Sequence, residues 1–284
     1  LLSKYFLTHE LEPFYRMQED CGVVVSGSTV LQFFTGCRWE SDLDLYVLIP
    51  ALWSAGSFLS SCGYDYDPTL GQITNFIKAS NTILMSPPAL DHHTSYPGSG
   101  IASVFNFKKG NRKIQLIACR SNILQVILGF HSTCVMNFVT RHHAVSLFPR
   151  STLHSRTSLV NAIDPNPTLA NALAKYADRG WQMLSHPPLQ DYLSPESELG
   201  QVIRYPGDQF CYIRPLTRYR SLFPFEELNP DIATSSWNVS IVGETRSAIS
   251  FELGRVSEFK SHCIATPIME ARLFETIGLV FTTS

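Results

Sequence analysis

The chain has 284 residues, 44% hydrophobic and only 16% charged, with a formal net charge of −2. An average soluble protein carries about a quarter charged residues, so this composition belongs to a globular chain with ample core material and excludes a disordered one. Near-neutrality argues against extended nucleic-acid binding, which needs a basic surface, and no apolar run approaches the roughly 18 to 20 residues of a membrane helix.

The opening Leu1-Leu2-Ser3-Lys4-Tyr5-Phe6 is too soon broken by charge to be a secretory signal. A start on Leu instead of Met points to a fragment or a processed form. The seven cysteines (Cys21, Cys37, Cys62, Cys119, Cys134, Cys211, Cys263) are scattered without a Cys-x-x-Cys pair. They read as reduced thiols, mostly core packing, in an intracellular, cytoplasmic setting. Asn238-Val239-Ser240 matches a glycosylation acceptor, a chance match in the absence of a secretion signal.

In chain order, residues 1–20 read as helical, with Leu2, Tyr5, Phe6, Leu11, Phe14 and Tyr15 as apolar positions and Pro13 bending or breaking the segment. Val23, Val24 and Val25 form a strand that stops at Gly27-Ser28, where glycine permits a sharp turn and the close approach of a ligand. Leu31, Phe33 and Phe34 follow at helix-compatible spacing. After Gly36, the run from Asp42 to Ile49 alternates at its start and becomes continuously apolar, as a buried strand does. Asp42 and Asp44 therefore share a face, with backbones roughly 6.5 to 7 Å apart. Taken alone, Asp-x-Asp reads as an exposed strand end with two solvated aspartates. Beside a Gly-Ser turn, the pair makes chemical sense around a divalent cation: magnesium takes a few carboxylates plus phosphate oxygens, and the turn is the natural place for a triphosphate.

Pro50 ends this strand, and residues 51–62 read as a helix with Leu52, Trp53, Phe58 and Leu59 inward and Gly63 as terminator. Ile73 to Met85 and Ile101 to Phe107 read as strands joined by a turn-rich connector. Within it, Asp91, His92 and His93 lack the spacing of a closed metal site and read as a solvated loop, with an active-site lid as the alternative. Lys108 to Arg112 forms a hairpin turn into the strand Lys113 to Ile117, expected to pair near the Asp-x-Asp strand. Ser121 is placed to cap a helix running to about Phe130, with Ile123, Leu124, Ile127 and Leu128 inward. Thr133–Val139 and Ala144–Phe148 read as strands around Arg141-His142-His143. His131 and His142 receive no catalytic role, and Asn137 stands out as a polar residue in an apolar run.

From Asn166 to His186 the signals agree on one helix: a capping Asn, Pro167 at the first position, and Leu169, Leu173, Tyr176 and Trp181 near helical period. A solvated face accounts for Lys175 and Arg179. Residues 191–207 are loop-like, and strands are expected at 210–213, 237–242, 248–253 and 263–266, the middle two joined by a hairpin at Gly243 to Arg246. Arg214, Arg218 and Arg220 are either exposed or phosphate-binding. The expected architecture is α+β, a mixed sheet flanked by helices. Its organisation is a domain over 1–150, a helical connector over 151–190 and a strand-rich region over 191–284 packed on it.

The order strand, Gly27-Ser28, short helix, Asp42-x-Asp44 and second strand resembles the signature of the DNA polymerase beta-like nucleotidyltransferase superfamily. A narrower likeness, to an uncharacterised fungal group with that fold, rests on residues 26–34 (SGSTVLQFF), 41–47 (SDLDLYV), 112–117 (RKIQLI) and 130–138 (FHSTCVMNF). The resemblance implies that Gly27 and Ser28 contact the phosphates of ATP or another nucleoside triphosphate. It further implies that Asp42 and Asp44 hold catalytic Mg2+ or Mn2+, and that a nucleotidyl group passes to an acceptor hydroxyl that the sequence does not identify. It also implies that a later helical piece meets the base or acceptor, which makes Lys175, Tyr176 and Arg179 candidates. The sharpest departure is Gln115, at the position where the family carries a third carboxylate. An amide cannot act as a base, so a catalytically degenerate binding or regulatory protein is the alternative that the resemblance leaves open.

Overall fold

The computed structural model describes residues 1–85, 100–161, 167–216, 230–233, 235–242 and 246–253. The chain runs through α1 (Thr8–Asp20), β1 (Val24–Ser26), α2 (Ser28–Thr35), β2 (Leu43–Leu48), α3 (Leu52–Ser61), β3 (Asp65–Tyr66) and α4 (Phe76–Met85). It continues with β4 (Ile101–Lys109), β5 (Arg112–Cys119), α5 (Ile123–Leu128), β6 (Asn137–Val139), β7 (His143–Ser146), β8 (Thr157–Leu159), α6 (Pro167–Asp178) and β9 (Gln182–Leu184). Last come α7 (Leu189–Leu193), β10 (Tyr212–Pro215), α8 (Pro230–Ala233), β11 (Ser235–Val242) and β12 (Arg246–Leu253).

Period-2 alternation divides the core. Val23, Val25, Leu43, Leu45 and Val47 turn to one side of the sheet, where they meet Phe14, Leu52, Leu59, Phe105 and Phe107 under α1, α3 and α4. Val24, Tyr46 and Ile117 turn to the other, against α5, Phe138, Phe148 and Trp237. The result is the expected α+β architecture. Eight strands form one sheet in the order β10-β7-β6-β1-β2-β5-β4-β3, with every pair antiparallel except β2 and β5. The parallel pair sets Leu43 opposite Ile114 and Asp44 opposite Gln115. Gly110, at φ +57°, makes the hairpin turn between β4 and β5 where the sequence places it.

β10 extends the sheet beyond β7, so a segment more than sixty residues downstream in the chain completes the edge (Tyr212 pairs with Ser146). Arg204 ties this return to the core. Fully buried, it donates to Asp208, to the Glu198 carbonyl at 2.8 Å and to the Leu147 carbonyl at 2.9 Å, and its guanidinium lies 5.0 to 5.4 Å from the rings of Phe210, Trp237 and Phe148.

Several local readings are corrected. Residues 76–85 form a helix, not a strand: the Asn75 side chain accepts from the Lys78 N–H at 2.9 Å, and Phe76, Ala79, Ser80 and Ile83 make the inward stripe. Ile77 and Met85, which suggested a strand, are 53% and 81% exposed. Trp53 is 52% exposed, because Leu52, Ala55, Gly56 and Leu59 define the buried face of α3. Helix α1 runs unbroken through Pro13; Pro13 and His9, whose carbonyl it leaves without an N–H, are both exposed. Asn122, not Ser121, caps α5, accepting from the Leu124 N–H at 2.8 Å. Thr133–Val135 is a 3-10 turn before β6, closed by the Asn137 side chain donating to the Cys134 carbonyl at 2.7 Å.

The long helix expected to His186 stops at Asp178. Gly180, at φ +97°, reverses the chain. Trp181 then drops into a cluster with Leu31, Val135 and Tyr176, and Gln182–Leu184 pairs parallel to β8. Asp91, His92, His93, Arg218, Arg220, the Gly243 to Thr245 turn and the strand expected at 263–266 lie outside the described residues. Among the described residues the cysteines are free thiols, and no helix is long and apolar enough to cross a membrane.

Candidate functional site

The site forms where β1 hands over to α2 beside the start of β2. Gly27 takes φ +75° and ψ −157°, a region essentially restricted to glycine. A Cβ there would overlap the Asp44 carboxylate, so the missing side chain is what lets the turn and the acid sit together. Ser28 opens α2, and its hydroxyl shares a 2.6 Å hydrogen bond with the Tyr176 hydroxyl from α6. Arg179 adds a longer 3.4 Å donation to the same oxygen.

The approach to β2 is held from three sides. Thr29 donates to the Asp42 carbonyl at 2.7 Å, Tyr5 to the Ser41 carbonyl at 2.8 Å, and the Gln32 amide to the Ser41 hydroxyl at 2.7 Å. These bonds fix the backbone that presents Asp42. On β5, Lys113 Nζ lies 3.0 Å from Asp42 Oδ2, and Gln115, in register with Asp44, donates from its amide to Asn106 Oδ1 at 3.1 Å. Burial, and then the neighbouring Asp42, push the Asp44 carboxyl up to about 7.

Asp42, Asp44, Ser28, Lys113 and Gln115 all line one cavity of about 730 Å³. Helix α6 contributes Lys175, and the turn just past its end contributes Arg179. The Arg179 guanidinium lies 4.5 Å from the Trp39 ring and 5.2 Å from Tyr176. Burial, with the Arg179 charge beside it, holds Lys175 below the ordinary lysine range. The wall carries Lys4, Arg112, Lys113, Lys175 and Arg179 against Glu40, Asp42 and Asp44. Cations outnumber acids, and that balance favours an anionic ligand.

The five residues singled out on the Gly-Ser turn, the Asp-x-Asp strand and β5 thus come together: Ser28, Asp42, Asp44 and Gln115 face the cavity, and Gly27 packs beneath Asp44. Lys175 and Arg179, read first as a solvated face, line it as well. Lys113 was missed, although it precedes Gln115 by two and the same strand alternation points both one way. Lys4 and Tyr5 carried no comparable signal, since only the packing of the N-terminal segment brings them here, and Arg112 enters from the start of β5. His131 hydrogen-bonds Ser132 at 2.8 Å and lies 5.3 Å from the Tyr176 ring; burial, and then Lys175, push it down to about 4, a neutral support under α6. Arg214 stacks 5.4 Å from Phe33.

Among the described residues no group of three or more His, Cys, Asp or Glu side chains gathers around a metal position. The two aspartates nevertheless suit a hard divalent cation, because a raised carboxyl beside a second acid is the kind of pair that a positive ion relieves. No family model, curated protein or solved structure matches this chain.

Proposed function

We propose that the chain is a magnesium- or manganese-dependent nucleotidyltransferase-fold protein. It binds ATP or another nucleoside triphosphate and transfers a nucleotidyl group to an acceptor hydroxyl. The observation that carries this reading is the convergence of Asp42 and Asp44 with Ser28, Lys175 and Arg179 on one cavity of about 730 Å³. Asp42 and Asp44 would hold the cation, which when bound neutralises charge developing on the transferred phosphoryl group. Ser28 and the first backbone N–H groups of α2 receive phosphate oxygens, and Lys175 and Arg179 supply positive charge beside them, Arg179 reaching the Ser28 hydroxyl. The chain's own contribution is to hold nucleotide and acceptor in line within a cationic cleft.

A second reading has its own observation. Gln115 stands opposite Asp44 on β5 with its amide turned to Asn106, and Lys113 already occupies Asp42. A site without a base on β5 suits a binding or regulatory protein that keeps the nucleotide and not the transfer. Calorimetric titration of a non-hydrolysable ATP analogue with Mg2+ into wild-type protein and Asp44→Asn tests the shared premise. Binding that depends on Asp44 is expected, and no binding to folded wild-type protein overturns both readings. Gln115→Asp then separates them: transfer that appears only in that variant marks the native chain as degenerate.

A further inference from the structure

Two acids at the start of β2, Asp42 just before the strand and Asp44 on it, need compensating charge, and they receive it unequally. Lys113 Nζ sits 3.0 Å from Asp42 Oδ2, with the two side chains 35% and 40% exposed. Among the described residues no ion pair closes on Asp44. Lys113 and Gln115 share a face of β5, so this strand offers the acids an ammonium and an amide and no carboxylate. The Gln115 amide is itself engaged by Asn106. Paired divalent ions about 3.5 to 4 Å apart need enough anionic ligands to offset their repulsion. Two carboxylates, one of them already holding a lysine, do not meet that need.

Resting on the reading of this cavity as a nucleotide site, we infer that it takes one divalent cation with its nucleotide. Lys113 supplies on Asp42 the positive charge that a second ion would otherwise bring. Lys113 and Gln115 then act as one device: the chain provides the cation and omits the acid that would have held a metal in its place. An ammonium gives charge without Lewis acidity or a coordinated water, so such a site binds a triphosphate firmly while doing less to activate an acceptor.

The test counts Mn2+ by the electron paramagnetic resonance signal of the free ion, at saturating non-hydrolysable ATP analogue, with nucleotide binding followed by calorimetry on the same sample. One Mn2+ per chain is expected for wild type and for Lys113→Arg, and two for the Lys113→Met, Gln115→Asp double variant. Two ions in wild type overturn the inference and leave the nucleotide site standing. One ion in a natively folded double variant also overturns it. Should that variant not fold, Lys113→Met alone decides: Mn2+ affinity must rise at least about fivefold from loss of the adjacent positive charge, and unchanged affinity refutes the role of Lys113. Absence of nucleotide binding to folded wild type overturns the reading of the cavity and this inference with it.

Discussion

Gly27 lies directly against the Asp44 carboxylate, in a backbone conformation that glycine alone adopts readily, so turn and acid are one structural unit. Gly27→Ala must both strain the backbone and push Asp44 from its place. A stability loss of about 1 to 3 kcal/mol is expected from the backbone alone, together with loss of Mn2+ and nucleotide binding. A thermal melt and a calorimetric titration check the two effects, and a variant that keeps full affinity would show that Asp44 needs no such cradle.

Asp44 also sets a pH dependence. Its carboxyl moves from an ordinary value of 3.8 to about 7, through burial and the charge of Asp42. The folded state therefore holds a proton between these values that the unfolded state releases, and this group makes metal-free stability fall as pH rises from about 4 to 7. Asp44→Asn should flatten that slope and raise the melting temperature of metal-free protein above pH 7. Added Mn2+ should remove the slope in wild type by favouring the ionised form. Melts across pH 4 to 8 with and without Mn2+ give the answer; an unchanged slope in Asp44→Asn assigns it to another group.

Helix α6 closes the site through Ser28 and Tyr176, whose hydroxyls are 2.6 Å apart. Tyr176→Phe removes that bond and should cost about 1 kcal/mol of stability, with a small loss of nucleotide affinity as α6 loosens. Lys175→Ala and Arg179→Ala act on the ligand directly and should each weaken analogue binding about tenfold, with a flatter salt dependence, as expected of lost charge contacts. Titrations at two ionic strengths distinguish these cases.

Arg204 is a buried structural charge that does not line this cavity. Arg204→Met keeps the volume but strips Asp208 of its buried partner, and should destabilise the protein by roughly 3 to 5 kcal/mol. Urea unfolding measures it. A loss below about 1 kcal/mol would mean that the N–H groups of Phe210 and Cys211, both 3.0 Å from the Asp208 carboxylate, and of Tyr205, at 3.3 Å, satisfy it without the arginine.

Where the sequence misled, side chains of the right type served a different period. Phe76, Ala79, Ser80 and Ile83 make a helix stripe, but Ile73, Ile77, Leu84 and Met85 are also apolar and hid it by remaining exposed. Trp181 follows Tyr176 at nearly helical spacing because the two touch, with ring centres 6.5 Å apart, yet Gly180 turns the chain between them. Burial alone does not report which backbone brings a residue inside.

The sequence by itself determined the mixed α+β architecture and the β1–Gly27–α2–β2 unit, because each follows from short-range rules: alternation, a glycine-only turn, a helix start. Only the tertiary structure decided that Lys113 pairs with Asp42, while Gln115 stands beside Asp44 on the neighbouring strand where the sequence expected it. It alone brought Lys175 and Arg179 from well over a hundred residues downstream onto the same cavity, with Tyr176 bonded to Ser28. Those relationships depend on the parallel pairing of β2 with β5 and on where α6 docks, and both are set by long-range burial that no local pattern encodes.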